Sequence, residues 1–277
     1  MKNLVKNNKE QYDFLFVILV YRNGKDLYDF DTSLRQHLSS YQVVVINSYM
    51  DDISNQEIES IANDLKYDFI SIQNKGYGYG NNKGIRYAME KYIYKYLIIC
   101  NADIIIRSFD ISKLPRSNAV IGPKITTLNG KAQNPYWAVK NKPMERMIYY
   151  GLLKQSRLRM FIAQGCNKVI RELFLMTRRK ANLVSKVYGV HGAFVIFTKD
   201  VIEKLYPIYD ENIFLYYEEA YLANYLQRKG IKGYYYPLID VLHKEDGSTK
   251  GMDIDQHSLA SSSFVYYYET YVLGKDK

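Results

Sequence analysis

Two side chains with metal-binding chemistry each follow an apolar run. Asp103 comes three residues after the run that ends at Cys100. A carboxylate there can hold a hard divalent cation, which neutralises a diphosphate leaving group. An Asp after a strand more often caps a turn, so Asp103 alone is weak evidence. His243 follows a second strand edge, ahead of a predicted Gly247-Ser248 turn. A lone His there is more often structural, but a metal-ligand role is an alternative.

Two adjacent carboxylates, Glu218 and Glu219, follow the aromatic cluster that begins at Phe214. They stand at the predicted start of a helix, where acids are stabilised by the helix dipole. A carboxylate against aromatic rings can also act as a general base. The residue types alone favour neither interpretation.

A glycine-rich run extends from Asn74 to Gly84. Glycines let a backbone approach a ligand closely, and a helix N-terminus favours negative charge. A flexible tight turn is the simpler interpretation. A dinucleotide fingerprint is a functional rival, but Asn81 and Lys83 occupy the third glycine position in its two registers. A nucleotide-dependent oxidoreductase therefore stays a weaker alternative.

These side chains need a scaffold, and the first hundred residues alternate between strand and helix patterns. Continuous apolar runs predict buried strands over 13–20, 43–46, 68–72 and 96–100. Helical spacing predicts helices over 25–38, 54–65 (with Ser54 as N-cap) and 82–94. This order predicts a doubly wound, mostly parallel α/β sheet. Ligands of such sheets lie outside the carboxyl ends of the strands, where Tyr21, Asn23 and Asn47 stand.

The net charge of +9 is concentrated in one part of the chain. The segment 140–186 holds twelve Lys or Arg against two acids, or +10, which leaves −1 for the rest. Its pattern predicts basic helices that pack on or protrude from the main body. Such a surface implies an anionic partner: nucleic acid, an anionic membrane face or a phosphorylated acceptor. No nucleic-acid-reading motif is recognisable, so nucleic acid is not an expected partner. Regular structure resumes with a strand over 190–198, a helix over 217–229, a short strand over 233–236 and a tail helix over 257–273.

The remaining composition bounds the setting of the protein. Two cysteines, Cys100 and Cys166, cannot make a disulfide framework, which favours a reducing cytosol. The polar N-terminus does not resemble a signal peptide, and the longest apolar run, 14–21, is too short to span a bilayer. A cytoplasmic protein is expected, with peripheral attachment to the inner face of the cell membrane as an extension.

Taken in this order and spacing, the motifs resemble family 2 glycosyltransferases with the GT-A fold, nearest to bacterial rhamnosyltransferase-type enzymes of polysaccharide (capsule) biosynthesis. The resemblance covers roughly residues 14–125 and 189–270. It implies one GT-A domain with a nucleotide-sugar-binding half (1–125), a basic helical insertion (126–188) and an acceptor-binding, catalytic half with a C-terminal helix (189–277). His191-Gly192-Ala193-Phe194 resembles the family's stretch near the sugar and acceptor.

The resemblance further implies an inverting transfer of rhamnose or another hexose. The donor would be a UDP- or dTDP-sugar, and the acceptor a saccharide or polyprenyl-linked hydroxyl. Glu219 would be the base, Glu218 would orient it or bind the acceptor, and Asp103 and His243 would hold Mg²⁺ or Mn²⁺. The implied nucleotide-sugar-binding residues are Tyr21, Asn23, Asn47, Asn74, Gly80, Asn82, Asn101, Asp103 and Gly192.

Four positions depart from the family pattern, and one of them is Tyr221, which replaces a frequent Asp. Asn47 stands where relatives carry the Asp that reads the pyrimidine base, and Asn101 replaces the first acid of the metal motif. Glu219 replaces an Asp, which makes the base one methylene longer. An amide oxygen can still accept a hydrogen bond from a pyrimidine N3–H. A catalytically degenerate, transferase-like binding protein therefore stays open.

Overall fold

The computed structural model describes residues 9–49, 51–179, 182–245 and 255–275. Within these ranges the strands form a single sheet in the order β3-β2-β1-β4-β8-β6-β9-β5, with β7 pairing on β9. The strands are β1 Glu10–Val20, β2 Tyr41–Tyr49, β3 Asp68–Gln73, β4 Tyr92–Asn101, β5 Ile104–Phe109, β6 Ala119–Thr127, β7 Ser185–Val187, β8 Phe194–Thr198 and β9 Lys232–His243. The helices are α1 Asp26–Arg35, α2 Asp52–Leu65, α3 Tyr77–Lys91, α4 Lys142–Leu153, α5 Arg157–Arg179, α6 Lys199–Leu205, α7 Glu218–Arg228 and α8 Gln256–Tyr267, which a π-helical turn (Tyr268–Leu273) extends.

The first half of the sheet is parallel, as its apolar runs predict. β1 pairs in parallel with β2 and β4, and β2 pairs in parallel with β3. Alternate residues of β1 enter separate cores: Phe16 packs on the face covered by α1 and α2, and Val17 on the face covered by α3. Burial on both faces explains why the strand is continuously apolar. The predicted mostly parallel α/β sheet flanked by helices is confirmed.

The second half of the sheet is mixed. β8 runs antiparallel between β4 and β6, while β6 and β9 pair in parallel. Strands β5 and β6 were not predicted, because no clear strand pattern is visible in their sequences. Strand β9 is three times as long as the strand predicted over 233–236. Strands from 1–125 and 189–277 thus interleave in one sheet, and residue 125 lies inside β6.

Several predicted element ends differ from the structure. The α2 N-cap is Asp51, whose carboxylate accepts a hydrogen bond from the Ser54 N–H, and not Ser54. Helix α3 begins at Tyr77, inside the glycine-rich run, and not at Asn82. It ends at Lys91, and residues 92–94 belong to β4, where Tyr92 and Tyr94 pack into the core. Tertiary burial of these aromatic rings outweighs their helical spacing.

The basic segment contains α4 and α5, which pack against each other, and then returns to the sheet through β7. Asn141 caps α4 through a hydrogen bond from the Met144 N–H. Among the described residues, no helix has the length and apolarity needed to cross a membrane.

Candidate active site

A cavity of about 580 Å³ opens at the carboxyl ends of β1, β2 and β4. This is the edge of the sheet where ligands of doubly wound folds bind. Residues from both halves of the chain line it. Those among the sequence-predicted site residues are Tyr21, Asn23, Asn74, Asn101, Asp103, Gly192, Glu218 and Glu219.

One wall of the cavity carries the two carboxylates at the start of α7. Glu218 is 7% exposed, and among the described residues its Oε1 atom has no hydrogen-bond partner. Burial, and then the neighbouring charge of Glu219, raise the pKa of Glu218 to about 8. Burial also raises the pKa of Glu219, whose Oε1 accepts a hydrogen bond from the Gly192 N–H at 3.2 Å. Two buried neighbouring carboxylates cannot both ionise cheaply, which favours the protonated form of Glu218.

The backbone just before these carboxylates is strained. Tyr216 and Tyr217 both have left-handed conformations, with φ of 72° and 66°. Each such non-glycine residue costs roughly 1–2 kcal/mol. Tyr217 is held in place by its ring, which packs edge-on against Phe264 of α8 at 4.7 Å. The tail helix therefore supports the turn that aims Glu218 and Glu219 into the cavity.

Asp103, which lines another part of the cavity, lies beside His243, which does not itself line it. Asp103 Oδ1 lies 3.3 Å from His243 Nε2, and Asn101 Nδ2 lies 3.2 Å from the same nitrogen. The other ring nitrogen lies 2.8 Å from Gln133 Oε1. Gln133 donates its amide N–H to Glu245, so its oxygen faces the ring and accepts the His243 Nδ1–H. The His243 Nε2 lone pair is thereby directed toward Asp103.

This pair fits a divalent cation. A carboxylate oxygen and a neutral imidazole nitrogen are ligands that Mn²⁺ accepts, and the carboxylate also suits Mg²⁺. The hydrogen bond from His243 to Gln133 is the outer-shell contact that metal-binding histidines usually make. Among the described residues, no group of three Asp, Glu, His or Cys side chains converges on one point. The predicted Gly247-Ser248 turn after His243 lies outside the described residues.

The glycine-rich loop serves packing more than ligand approach. Gly76 has a φ of 103°, and a Cβ there would lie 2.5 Å from the Phe214 carbonyl oxygen. The Tyr77 N–H donates to that same oxygen at 2.8 Å. The loop thus closes against the segment that leads to Glu218. Asn74 remains at the cavity, where its side-chain oxygen accepts the Gly76 N–H.

Four sequence-predicted site residues do not line the cavity: the predicted metal ligand His243, and Gly80, Asn82 and Asn47. Gly80 packs against Leu19, where a Cβ would come within 2.4 Å of a side-chain methyl. Asn82 is fully buried, and its amide oxygen accepts the backbone N–H groups of residues 208 and 209. Asn47 is also buried and donates to Asn55 Oδ1 at 2.8 Å, while its neighbour Ser48 reaches the cavity. These contacts indicate that Gly80 and Asn82 have a structural role.

Several cavity residues carry no sequence motif. Tyr136, from the basic insertion, lines the cavity and packs edge-on against His191. Burial, and then the neighbouring His243, lower the pKa of His191 to about 3, so this imidazole is neutral. Its Nδ1 accepts the Ala193 N–H at 3.1 Å. Tyr77 donates to the Gly192 carbonyl at 3.1 Å. The sequence motif that contains Gly192 also pointed to His191. No sequence feature distinguishes Tyr77 and Tyr136 from the other tyrosines, of which the chain has 29 in all.

Comparison with known proteins gives a consistent result. No protein-family model matches the chain. The low-salt glycan biosynthesis hexosyltransferase Agl10 of Haloferax volcanii is 24% identical over 271 residues, which are 95% of this chain and 76% of that protein. GalNAc-T7, in a crystal structure with UDP, GalNAc and Mn²⁺, is similar with a TM-score of 0.62 and 13% identity, over 95% of this chain. Residues 1–349 of S. aureus TarS match with a TM-score of 0.51 and 12% identity, over 94% of this chain and 72% of theirs.

The two kinds of likeness carry different weight. The solved structures share the fold with this chain, which spans about half (49%) of the GalNAc-T7 chain. The sequence similarity to a hexosyltransferase extends over almost the whole chain. With a GT-A fold and this relative in glycan biosynthesis, the chain is a glycosyltransferase.

Proposed function

We propose that this glycosyltransferase moves a hexose from a UDP- or dTDP-sugar to a hydroxyl of a saccharide or lipid-linked acceptor, with inversion at the anomeric carbon. The supporting observation is that Glu218 and Glu219 line the same cavity as Asp103, at the carboxyl ends of the parallel strands. A base and a diphosphate-binding group must flank the same anomeric carbon, and a cavity of about 580 Å³ suits a sugar and its nucleotide.

Glu219 takes the proton of the acceptor hydroxyl in this proposal. The Gly192 N–H fixes one of its oxygens, and the side chain is more exposed to the cavity than that of Glu218. Glu218 stays protonated below pH 8 and so adds no second negative charge beside the base. It can donate a hydrogen bond to the acceptor instead. Such a base contributes typically about 10²–10⁴-fold to the rate.

Asp103 and His243 would hold Mg²⁺ or Mn²⁺, which would neutralise charge on the leaving diphosphate. Glu245 and Gln133 hold the His243 ring in the orientation that this role needs. GalNAc-T7 was solved with UDP and Mn²⁺, which supports a divalent cation here as well. Among the residues that the structure describes only these two such side chains come together, so the remaining ligands would be donor oxygens and water.

The nucleoside would lie on the wall made by Tyr21, Asn23, Ser48 and Asn74. In this proposal Ser48 lines the wall in place of Asn47, which is turned into the protein; the Ser48 Oγ is buried and has no hydrogen-bond partner among the described residues. A hydroxyl both donates and accepts, so it can pair with a uracil or a thymine edge. Rhamnose, the sugar of the enzymes that the motifs resemble, is one hexose to test first.

The test is a donor screen followed by substitutions of Glu219 and of Asp103, with one surface substitution as the control. We expect purified protein to bind or slowly hydrolyse a UDP- or dTDP-sugar when Mg²⁺ or Mn²⁺ is present. Glu219→Gln should lower turnover by about 10²–10⁴-fold while donor affinity stays within about threefold. Asp103→Ala should remove the metal-dependent part of donor binding. The exposed-surface variant Glu59→Gln is the control and should behave as wild type.

Each assignment has its own contradicting result. If Glu219→Gln keeps full transfer and Glu218→Gln abolishes it, the two acids exchange roles. If Asp103→Ala leaves metal-dependent binding and hydrolysis unchanged, the metal assignment is wrong. If calorimetry shows no binding for any of the UDP-, dTDP- and GDP-sugars, the chain is a transferase-like binding protein without catalysis.

A further inference from the structure

The longest helix, α5, exposes a stripe of large apolar side chains to solvent. Its six members recur three, four or seven residues apart and therefore share one face of the helix. Phe161 is 74% exposed and Met176 71% exposed, which is unusual for side chains of this size. Six of the seventeen exposed large apolar residues described in the protein stand on this helix. The α5 stripe consists of Leu158, Phe161, Ile162, Val169, Leu173 and Met176.

The opposite face of α5 already has partners, so the stripe is not a misplaced core. Ala163 packs into the cluster around Trp137, and Leu175 packs into the core beneath the sheet. Asn167 donates to the Tyr136 carbonyl at 3.3 Å, which fixes the helix to a wall of the cavity. The helix is thus apolar on two opposite faces, of which the protein buries one.

Positive charge flanks the stripe. Lys154, Arg157, Arg159 and Lys168 are exposed beside it, against the single exposed acid Glu172. Among the described residues, none of the four cations forms an ion pair. A second copy of the chain docked on this stripe would bring two sets of unpaired cations together, which is unfavourable. An anionic lipid surface supplies both an apolar layer and the opposite charge.

We propose that α5 lies in the plane of an anionic membrane surface, with the α5 stripe inserted among the lipids and the flanking cations at the headgroups. At about 1.5 Å per residue, the 23 residues extend about 35 Å along that surface. This surface goes beyond the proposed transfer reaction, because transfer to a saccharide in solution needs no membrane. Because α5 holds Tyr136, the membrane lies beside one wall of the cavity, where a lipid-linked hydroxyl would arrive.

The experiment measures vesicle binding of the full chain by flotation. The vesicles are phosphatidylcholine alone or with about one third phosphatidylglycerol, at low and at high salt. Wild type should float with the anionic vesicles and much less with the neutral ones. Phe161→Gln combined with Met176→Gln should reduce the bound-to-free ratio by about tenfold or more. Both side chains are exposed, so thermal melting should stay unchanged.

Two further variants separate apolar from ionic contributions. Arg157→Gln with Lys168→Gln should remove most of the preference for anionic vesicles. Ile53→Gln, which removes an 82% exposed apolar side chain from α2, is the matched control and should float as wild type does. Donor hydrolysis in solution should be the same for all of these variants. Failure of the transfer reaction and failure of membrane binding are therefore distinguishable.

Three outcomes would overturn the proposal. The first is wild-type protein that does not float with anionic vesicles at low salt. The second is a Phe161→Gln, Met176→Gln protein that floats as well as wild type. The third is a wild-type dimer in solution that the double substitution converts to a monomer, with no vesicle binding. In that case a second copy of the chain covers the α5 stripe.

Discussion

At the scale of single residues, the Gly192 peptide connects the two halves of the site. Its N–H donates to Glu219 of α7, and its carbonyl accepts from the Tyr77 hydroxyl of α3. A Cβ on Gly192 would lie 3.1 Å from Glu219 Oε1, closer than carbon and oxygen normally approach. The glycine is needed here for space, because the carboxylate occupies the position that a side chain would take.

Gly192→Ala should therefore move the proposed base. We expect turnover to fall by about threefold to tenfold, because the added carbon forces the carboxylate aside by only a fraction of an ångström, and misplacement of a reacting group slows the reaction. Steady-state kinetics would measure it, with Gly165→Ala as the control, since a Cβ at Gly165 meets nothing within 4 Å. Unchanged turnover in Gly192→Ala would argue against Glu219 as the base.

Glu218 should make stability depend on pH. Burial and then Glu219 raise its pKa from the usual 4.5 to about 8, so the folded state binds this proton more tightly than the unfolded state. Relative to Glu218→Gln, the wild type should lose free energy of unfolding as pH rises from about 4.5 to about 8, and no more above that. Melting temperatures of wild type, Glu218→Gln and the exposed Glu59→Gln across pH 4–9 would measure it, where roughly 1.4 kcal/mol corresponds to each unit of pKa. A constant difference between wild type and Glu218→Gln would show that Glu218 ionises normally.

At the scale of elements, α3 is docked against the segment that leads into α7. The Tyr77 N–H binds the Phe214 carbonyl, and Asn82 holds the backbone of residues 208 and 209. Of the residues that the sequence assigned to ligand binding, Asn82 does this docking, whereas Gly80 packs α3 against Leu19 of β1. The same spacing of glycine and asparagine can serve ligand binding or the packing of α3. The local sequence does not reveal which other part of the backbone this loop will contact.

Gly76→Ala should consequently disturb more than its own turn. The positive φ alone costs about 1 kcal/mol, which Gly130→Ala isolates because Gly130 also has a positive φ but open space around it. At Gly76 the added carbon also collides with Phe214 backbone atoms 2.5–2.7 Å away. We expect a clearly lower melting temperature than for Gly130→Ala, together with weaker donor binding. Equal melting temperatures would mean that the 214–217 segment yields without cost.

At the scale of the whole molecule, the predictable part of the fold is the part with local periodicity. The buried strands β1 to β4 and the helices between them follow from continuous apolar runs and helical spacing. The order β4-β8-β6-β9-β5 does not follow from local pattern. Strand β8 inserts between β4 and β6, although it is far from both in sequence, and its antiparallel direction depends on tertiary pairing.

The candidate site divides in the same way. Asp103, Glu218, Glu219 and His243 were predicted because their order along the chain resembles the motif order of family 2 glycosyltransferases, whereas each of them alone was weak evidence. Tyr77, Tyr136 and Gln133 act through one aromatic ring, one hydroxyl or one amide each, and many residues of those types occur elsewhere in the chain. Their roles depend on which atoms the fold brings within hydrogen-bonding distance.

The Gly192 peptide has one more consequence. Both of the atoms that link Tyr77 and Glu219 through it belong to the main chain, so among codon changes at position 192 only one to proline, which has no N–H, directly deletes one of these hydrogen bonds. In the sequences of relatives, the only expected sign of this link is therefore a small residue at this position. Only an amide-to-ester exchange made by protein semisynthesis would remove the N–H and leave every side chain of the site in place.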